Sequence, residues 1–185
     1  MVDGADKSRV LAAATELFNE RGVQAVGMDA IRDAAAIPLK RLYAFYPSKA
    51  DLVSAVLKQR DRDVRRAMAD FVESRADEPH ERILAVFDYL AQWFAEPDFR
   101  GCMFINSVGE LGGTSADVRR IARRHKVALR DYLADLAAAA RLPAELADQL
   151  AILANGAMVA ATIYGDGAEA AAAARSAASV ILAAA

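Results

Sequence analysis

A single cysteine, Cys102, leaves no partner for a disulfide within the 185-residue chain, so stability has to come from packing. Five prolines and ten glycines are too few for a collagen-like or linker-rich chain. Two histidines, His80 and His125, stand too far apart in sequence to give a ligand pair of usual spacing, so no metal or other cofactor is expected. Neither charge dominates: 23 Lys+Arg face 25 Asp+Glu, a net charge of −2. Such a balance offers no global attraction to nucleic acid or to an acidic membrane, and any such contact must come from a local patch. The uncharged stretch at residues 150–164 is shorter than a bilayer requires and reads as a buried helix. The opening MVDGADKSRV has no apolar signal core, so the expectation is a cytoplasmic protein with no membrane partner. What remains is substantial: 55% apolar and 26% charged residues, the composition of a chain that folds around a core.

Apolar residues recur at helical spacing almost throughout, and β-branched runs with hairpin turns are missing, which predicts an all-α protein. A first helix over residues 7–21 presents Leu11, Ala14, Leu17 and Phe18 and stops at Gly22. A short second helix over 28–35 turns Ile31 and Ala35 inward, and Pro38 disfavours helix at Ile37, forcing a turn. A third starts at Pro38 or Leu39 and runs to Tyr46. Ser48 caps a long fourth helix, and a fifth spans 80–95. Beyond these the pattern predicts helices over 102–111, 115–140, 143–164 and 168–184. The last two are rich in alanine and apolar on most faces, so they need partners on more than one side.

Residues 34–50 (AAAIPLKRLYAFYPSKA) hold Lys40, Arg41 and Lys49 with no acidic residue, whereas the preceding segment is acidic on balance. Ammonium groups, tyrosine hydroxyls and helix-start amides all donate to phosphate oxygens. An exposed helix in a major groove would place Lys40 and Arg41 at base edges, where either donates to guanine O6 and N7. Charge alone does not separate this from a solvated basic face.

Residues 11–53, about a quarter of the chain, resemble the N-terminal DNA-binding domain of tetracycline-repressor (TetR) family regulators. The resemblance is carried by Ala14, Leu17-Phe18, Gly22, Ile31, Ala35, Leu42-Tyr43, Pro47-Ser48-Lys49 and Leu52, in order and spacing. It implies an all-α homodimer: a three-helix helix-turn-helix domain over residues 1–50, and an effector-binding and dimerisation domain over 51–185. It further implies a double-stranded palindromic operator and release by a small-molecule effector, as in a repressor, with the last two helices forming a four-helix dimer interface. By position, Tyr43 and Lys49 would hold phosphates, while Leu39, Lys40, Arg41 and Ala44 would face the groove and Leu42 would pack inward. Three positions depart from the family pattern: Ala36 where a turn glycine is usual, Arg32 where alanine is common, and Gly27 where Ser or Thr caps the second helix. A left-handed Ala36 would carry about 1 kcal/mol of strain.

Further residues invite a functional reading. Arg119, Arg120, Arg123, Arg124, Lys126 and Arg130 form a second basic cluster; helical geometry puts Arg119, Arg123, Lys126 and Arg130 together opposite the stripe Val118, Ile121, Leu129, Tyr132, Leu133 and Leu136, and the cluster reads as a solvated face. Tyr89, Trp93, Phe94, Met103, Phe104, Asn106, Met158 and Thr162 can line an apolar effector pocket or serve as ordinary core, with Glu110 and Asn155 as polar groups to orient a ligand. Cys102 reads as a buried small residue, with oxidation sensing as its functional alternative. No enzymatic activity is expected. The competing readings are a small-molecule-binding helical protein that has lost DNA recognition and, behind it, a helical enzyme using Cys102 or Glu110.

Overall fold

The computed structural model describes residues 2–185, with side chains from Gly4 onward. Among the described residues there are nine helices and no strand: α1 (Val2–Arg21), α2 (Met28–Ala35), α3 (Leu39–Phe45), α4 (Lys49–Arg75), α5 (Pro79–Phe94), α6 (Met103–Leu111), α7 (Ala116–Ala139), α8 (Leu146–Tyr164) and α9 (Gly167–Ala183). Residues are grouped into two compact units, Met1–Asp61 with Met103–Arg123, and Arg62–Cys102 with Arg124–Ala185, so α4 and α7 each contribute to both.

In the first unit, α1 packs on α2 and α3. Ala14, Leu17 and Phe18 form the buried face that spacing predicts, Val10 joins them, and Leu11, expected on that face, is only half-buried at its margin. Ile31 and Ala35 from α2 and Leu42 from α3 complete the buried cluster. Helix α1 starts five residues earlier than the periodicity predicts. Near its start Asp6 is nearly buried and pairs with Arg9 one turn on at 2.5 Å, a helix-supporting spacing.

Helix α2 ends as the missing glycine suggested. Ala36 is left-handed (φ 52°, ψ 49°), its N–H donating to Asp33 O, while the Ile37 N–H reaches Arg32 O at 3.3 Å. A side chain thus occupies a conformation that favours glycine, and the turn still forms because buried Ile37 anchors it. Gly27 begins α2 in extended conformation without any side-chain cap. At α4, Ser48 does the capping: its Oγ accepts from the Asp51 N–H at 3.1 Å and donates to the Asp51 carboxylate at 2.6 Å.

In the second unit, α9 packs against both α5 and α8. Its buried residues Ala170, Ala171, Ala174 and Ala178 are small enough to let the helix axes approach, and Arg175 Nε donates to Asp88 Oδ1 at 2.7 Å to fix α9 on α5. Where α9 begins, a Cβ on Gly167 would stand 2.7 Å from Phe94 Cβ, so only glycine allows this approach. Helix α8 starts at Leu146, three residues later than predicted, because the left-handed Arg141 and the turn closed by Leu146 N–H to Pro143 O precede it. By length and composition α8 could cross a membrane; it buries Leu146, Leu150, Ala154, Met158 and Ala161 within the protein and leaves Ile152, Val159 and Ile163 exposed.

Replacing Ala36 with glycine relieves the left-handed strain. Ala36→Gly should stabilise the protein by about 1 kcal/mol, read as a raised urea midpoint at unchanged slope.

Candidate nucleic-acid interface and effector region

Helix α3 buries Leu42 completely, and that anchoring decides what its other faces do. Lys40, Tyr43 and Ala44, spaced three and four residues apart, lie together on one exposed face; Tyr43 is 43% exposed, high for an aromatic side chain. Leu39 and Phe45 are half-buried at its margins. Of the residues expected to face a groove, Lys40 and Ala44 are on this surface, with Leu39 at its edge.

Arg41 is placed differently. Its Nε lies 2.7 Å from Asp6 Oδ2, its side chain is one-third exposed, and its guanidinium carbon is 5.7 Å from the centroid of the Phe45 ring. Asp6 is only 7% exposed and also holds Arg9 through Oδ1. Separating a buried ion pair costs about 3–5 kcal/mol because it strands a charge. That is a ceiling here, because Arg41 is partly exposed and Arg9 still holds Asp6 Oδ1, and the cost is of the same order as the roughly 1–3 kcal/mol of a bidentate guanine contact. Sequence spacing placed Arg41 on the helix but held no signal for a carboxylate 35 positions upstream.

Lys49 opens α4 half-buried, and its Nζ donates to Gln24 O at 3.3 Å in the α1–α2 connection. Burial lowers its pKa, opposed by the nearby Glu110 carboxylate. Glu110, at the end of α6, accepts from the Gln24 N–H at 2.7 Å, and the Gln24 side-chain amide donates to the Glu110 carbonyl. Gly22 adopts φ +81°, and a Cβ there would lie 3.1 Å from both Glu110 carboxylate oxygens. The carboxylate proposed to orient a ligand is therefore engaged in holding the α1–α2 connection. At α2, Arg32 lies between Asp29 (3.2 Å) and Asp33 (2.7 Å), which raises its pKa chiefly through Asp33.

The ten residues considered for an effector pocket divide between the two units. In the first unit Met103, Asn106 and Glu110 join Phe18, Asn19, Gly22, Val23 and Ser107 around a crevice of about 40 Å³ between α1 and α6, room for one or two waters. The Ser107 hydroxyl is buried there without a partner. Phe104 is wholly buried. In the second unit Trp93, Phe94 and Phe99 form an aromatic cluster with centroids 5.0–5.7 Å apart, and Tyr89 meets Phe71 edge-on at 5.8 Å. Lys126 Nζ donates to Cys102 Sγ at 3.4 Å and to Met158 Sδ at 3.5 Å. Thr162 Oγ1 bonds to Met158 O and crowds Gly101, and Asn155 Oδ1 is buried without a partner. Lys126 thus leaves the solvated face to which spacing assigned it, while Arg119, Arg120, Arg123, Arg124 and Arg130 stay exposed. Arg119 donates to Gly112 O, and Arg120 and Arg130 pair with Asp117 and Asp131. Among the described residues no three of His, Cys, Asp and Glu are grouped to hold a metal ion.

Two family models match the chain: that of bacterial regulatory proteins of the tetR family over residues 10–56, and that of the tetracyclin repressor-like C-terminal domain over residues 79–177. The chain belongs to the TetR family of transcriptional regulators. The first match holds the helix-turn-helix, and the second covers more than half of the sequence. A TetR-family regulator from Streptomyces coelicolor superposes with a TM-score of 0.87 at 25% identity, over 97% of this chain and 95% of that one. A TetR-type regulator from Streptomyces avermitilis gives 0.73 at 28% identity, over 94% and 98%. Among curated relatives, the HTH-type transcriptional activator FasR of Mycolicibacterium smegmatis is 36% identical over 89 residues, 45% of this chain and 40% of FasR. The HTH-type regulator UidR of Escherichia coli is 39% identical over 67 residues, 36% of this chain and 33% of UidR. Both alignments span less than half of the relative's own length.

The Gly22–Glu110 contact makes a direct expectation. Gly22→Ala forces a β-carbon into a left-handed position against the carboxylate and should cost about 1–2 kcal/mol, measured by urea denaturation.

Proposed function

We propose that this TetR-family chain acts as a homodimeric, ligand-responsive regulator that binds a palindromic operator in the cytoplasm. The observation that carries the reading is the α3 face of Lys40, Tyr43 and Ala44, exposed on a helix whose opposite side is locked down by Leu42. Lys40 and Ala44, with Leu39 beside them, would meet base edges; Tyr43 and Lys49 would hold phosphates flanking the groove. The domain division at residue 50 belongs to the same reading: a DNA-binding part before it, an effector-binding and dimerising part after it.

A second copy would dock on α8 and α9. Ile152, Val159 and Ile163 recur at helical spacing on α8, 72%, 39% and 71% exposed, and Val180 on α9 is 67% exposed. Apolar side chains in a contiguous exposed row are what a homodimer interface covers. In the dimer each subunit would supply one recognition helix to a half-site, and an effector would act by favouring the arrangement in which the two helices no longer match the operator. A ligand with equal affinity for both arrangements would shift nothing. The Glu110–Gln24–Lys49 chain would be the route by which α6 influences the phosphate-holding end of α4. The sign of regulation in this reading is repression, opposite to that of FasR, which is an activator.

Two sets of variants test this. Lys49→Ala and Tyr43→Phe should weaken operator binding evenly across base-substituted sites, Lys49→Ala also reducing the salt slope by about one, whereas Lys40→Ala should flatten preference at one base pair. Gel-shift titration at fixed salt checks each. Separately, Ile163→Arg should convert a dimer to a monomer in sedimentation at micromolar concentration; an unchanged dimer removes α8 from the interface.

A further inference from the structure

We infer that Asp6 determines which side chains of the recognition helix read DNA, by keeping Arg41 out of the groove. The inference rests on the operator-binding reading and narrows it. Arg41 is the residue of α3 whose fork best suits guanine, since a guanidinium donates two parallel N–H groups. A carboxylate competes for the same cation, and Asp6 supplies one from the neighbouring helix, its Oδ2 forming an ion pair 2.7 Å from Arg41 Nε. Three features hold the pair together. Asp6 is 7% exposed and Arg9 engages its Oδ1, so without Arg41 the Oδ2 would be left with little access to water. Arg41 Cζ lies over Phe45, four residues along α3, which fixes the guanidinium plane. Leu42, next in sequence, is wholly buried, so α3 cannot rotate to present Arg41 elsewhere without exposing its anchor.

Arg41 therefore acts as a positioning residue, a strut between α1 and α3. Base reading falls to Lys40 and Ala44, which stand on the exposed face. This explains why the strongest hydrogen-bonding side chain of α3 points at its own protein. Asp6 becomes a specificity-determining residue that touches no base: with a neutral side chain there, Arg41 is released toward the duplex.

The test compares wild type, Asp6→Asn, Arg41→Ala and the double variant on an operator and its single-base substitutions, at several salt concentrations, with thermal melting to establish that each folds. Arg41→Ala alone should leave the order of preference among substituted sites unchanged. Asp6→Asn should bind DNA more tightly at low salt, with the salt slope steeper by about one, as one further cation meets a phosphate or base. Adding Arg41→Ala should abolish that gain, which separates Arg41 from Arg9, the other cation that Asp6 holds. If Arg41→Ala flattens preference at one base pair, or if Asp6→Asn leaves the slope unchanged, the inference is overturned. Should Asp6→Asn not fold, the Arg41→Ala panel decides alone. A wild type with no preference among sequences removes the operator-binding premise and the inference with it; a wild type that discriminates isolates the failure to Asp6.

Discussion

The burial of Leu42 is the constraint on which the rest of the interface depends. A seven-residue helix has little stability of its own, and α3 persists because this side chain is wholly enclosed where α3 packs on α1 and α2. Once that residue is fixed, the 100° advance per residue puts Lys40 and Ala44 opposite it and Arg41 and Tyr43 on its two flanks; the Arg41 flank meets Asp6 of α1, and the Tyr43 flank is left exposed. The turn before α3 contributes the second fixed point. Ala36 is left-handed at some energetic cost, and the compensation comes from Ile37 beside it, which is buried. A glycine would make the turn easier, but the hydrophobic anchors on either side specify it regardless.

Charge in the first unit is organised inward as much as outward. Asp6 gathers Arg9 and Arg41, Asp29 and Asp33 flank Arg32, and Lys49 leans on the carbonyl of Gln24 under the influence of Glu110. A basic window of sequence therefore does not translate into an equally basic surface. Of its three cations, Lys40 alone stands on the exposed face, and the others are tied to the helices and turns that support it. Such ties join α3 and the start of α4 to α1 and to the α1–α2 connection. They also give α6, through Glu110, a hold on the connection between α1 and α2.

Much of this was legible in the sequence. Helical periodicity and punctuation placed the helix ends to within five residues, Leu42 was expected inward, and the family resemblance pointed to the helix-turn-helix that the matches then bore out. Long-range polar contacts were not legible. Nothing in the spacing of Asp6 and Arg41, or of Gln24 and Glu110, marks them as partners, because a salt bridge or hydrogen bond across 35 or 86 residues depends on how helices pack. Lys126 illustrates the same limit: helical geometry assigned it to a solvated face, yet a long side chain can fold back, and its ammonium reaches the two sulfurs of Cys102 and Met158. The proposed pocket residues were chosen by chemistry alone, and their division between two units reflects topology that composition does not carry.

The most direct measurement is to pass fragmented genomic DNA of the host over the purified protein at a stated salt concentration and footprint what is retained. A regulator of this kind should hold a few fragments far above the random background and protect two inverted half-sites whose centres lie about one helical turn, or a whole number of turns, apart. Retention that follows fragment length alone, with no protected two-fold pattern, would contradict the account.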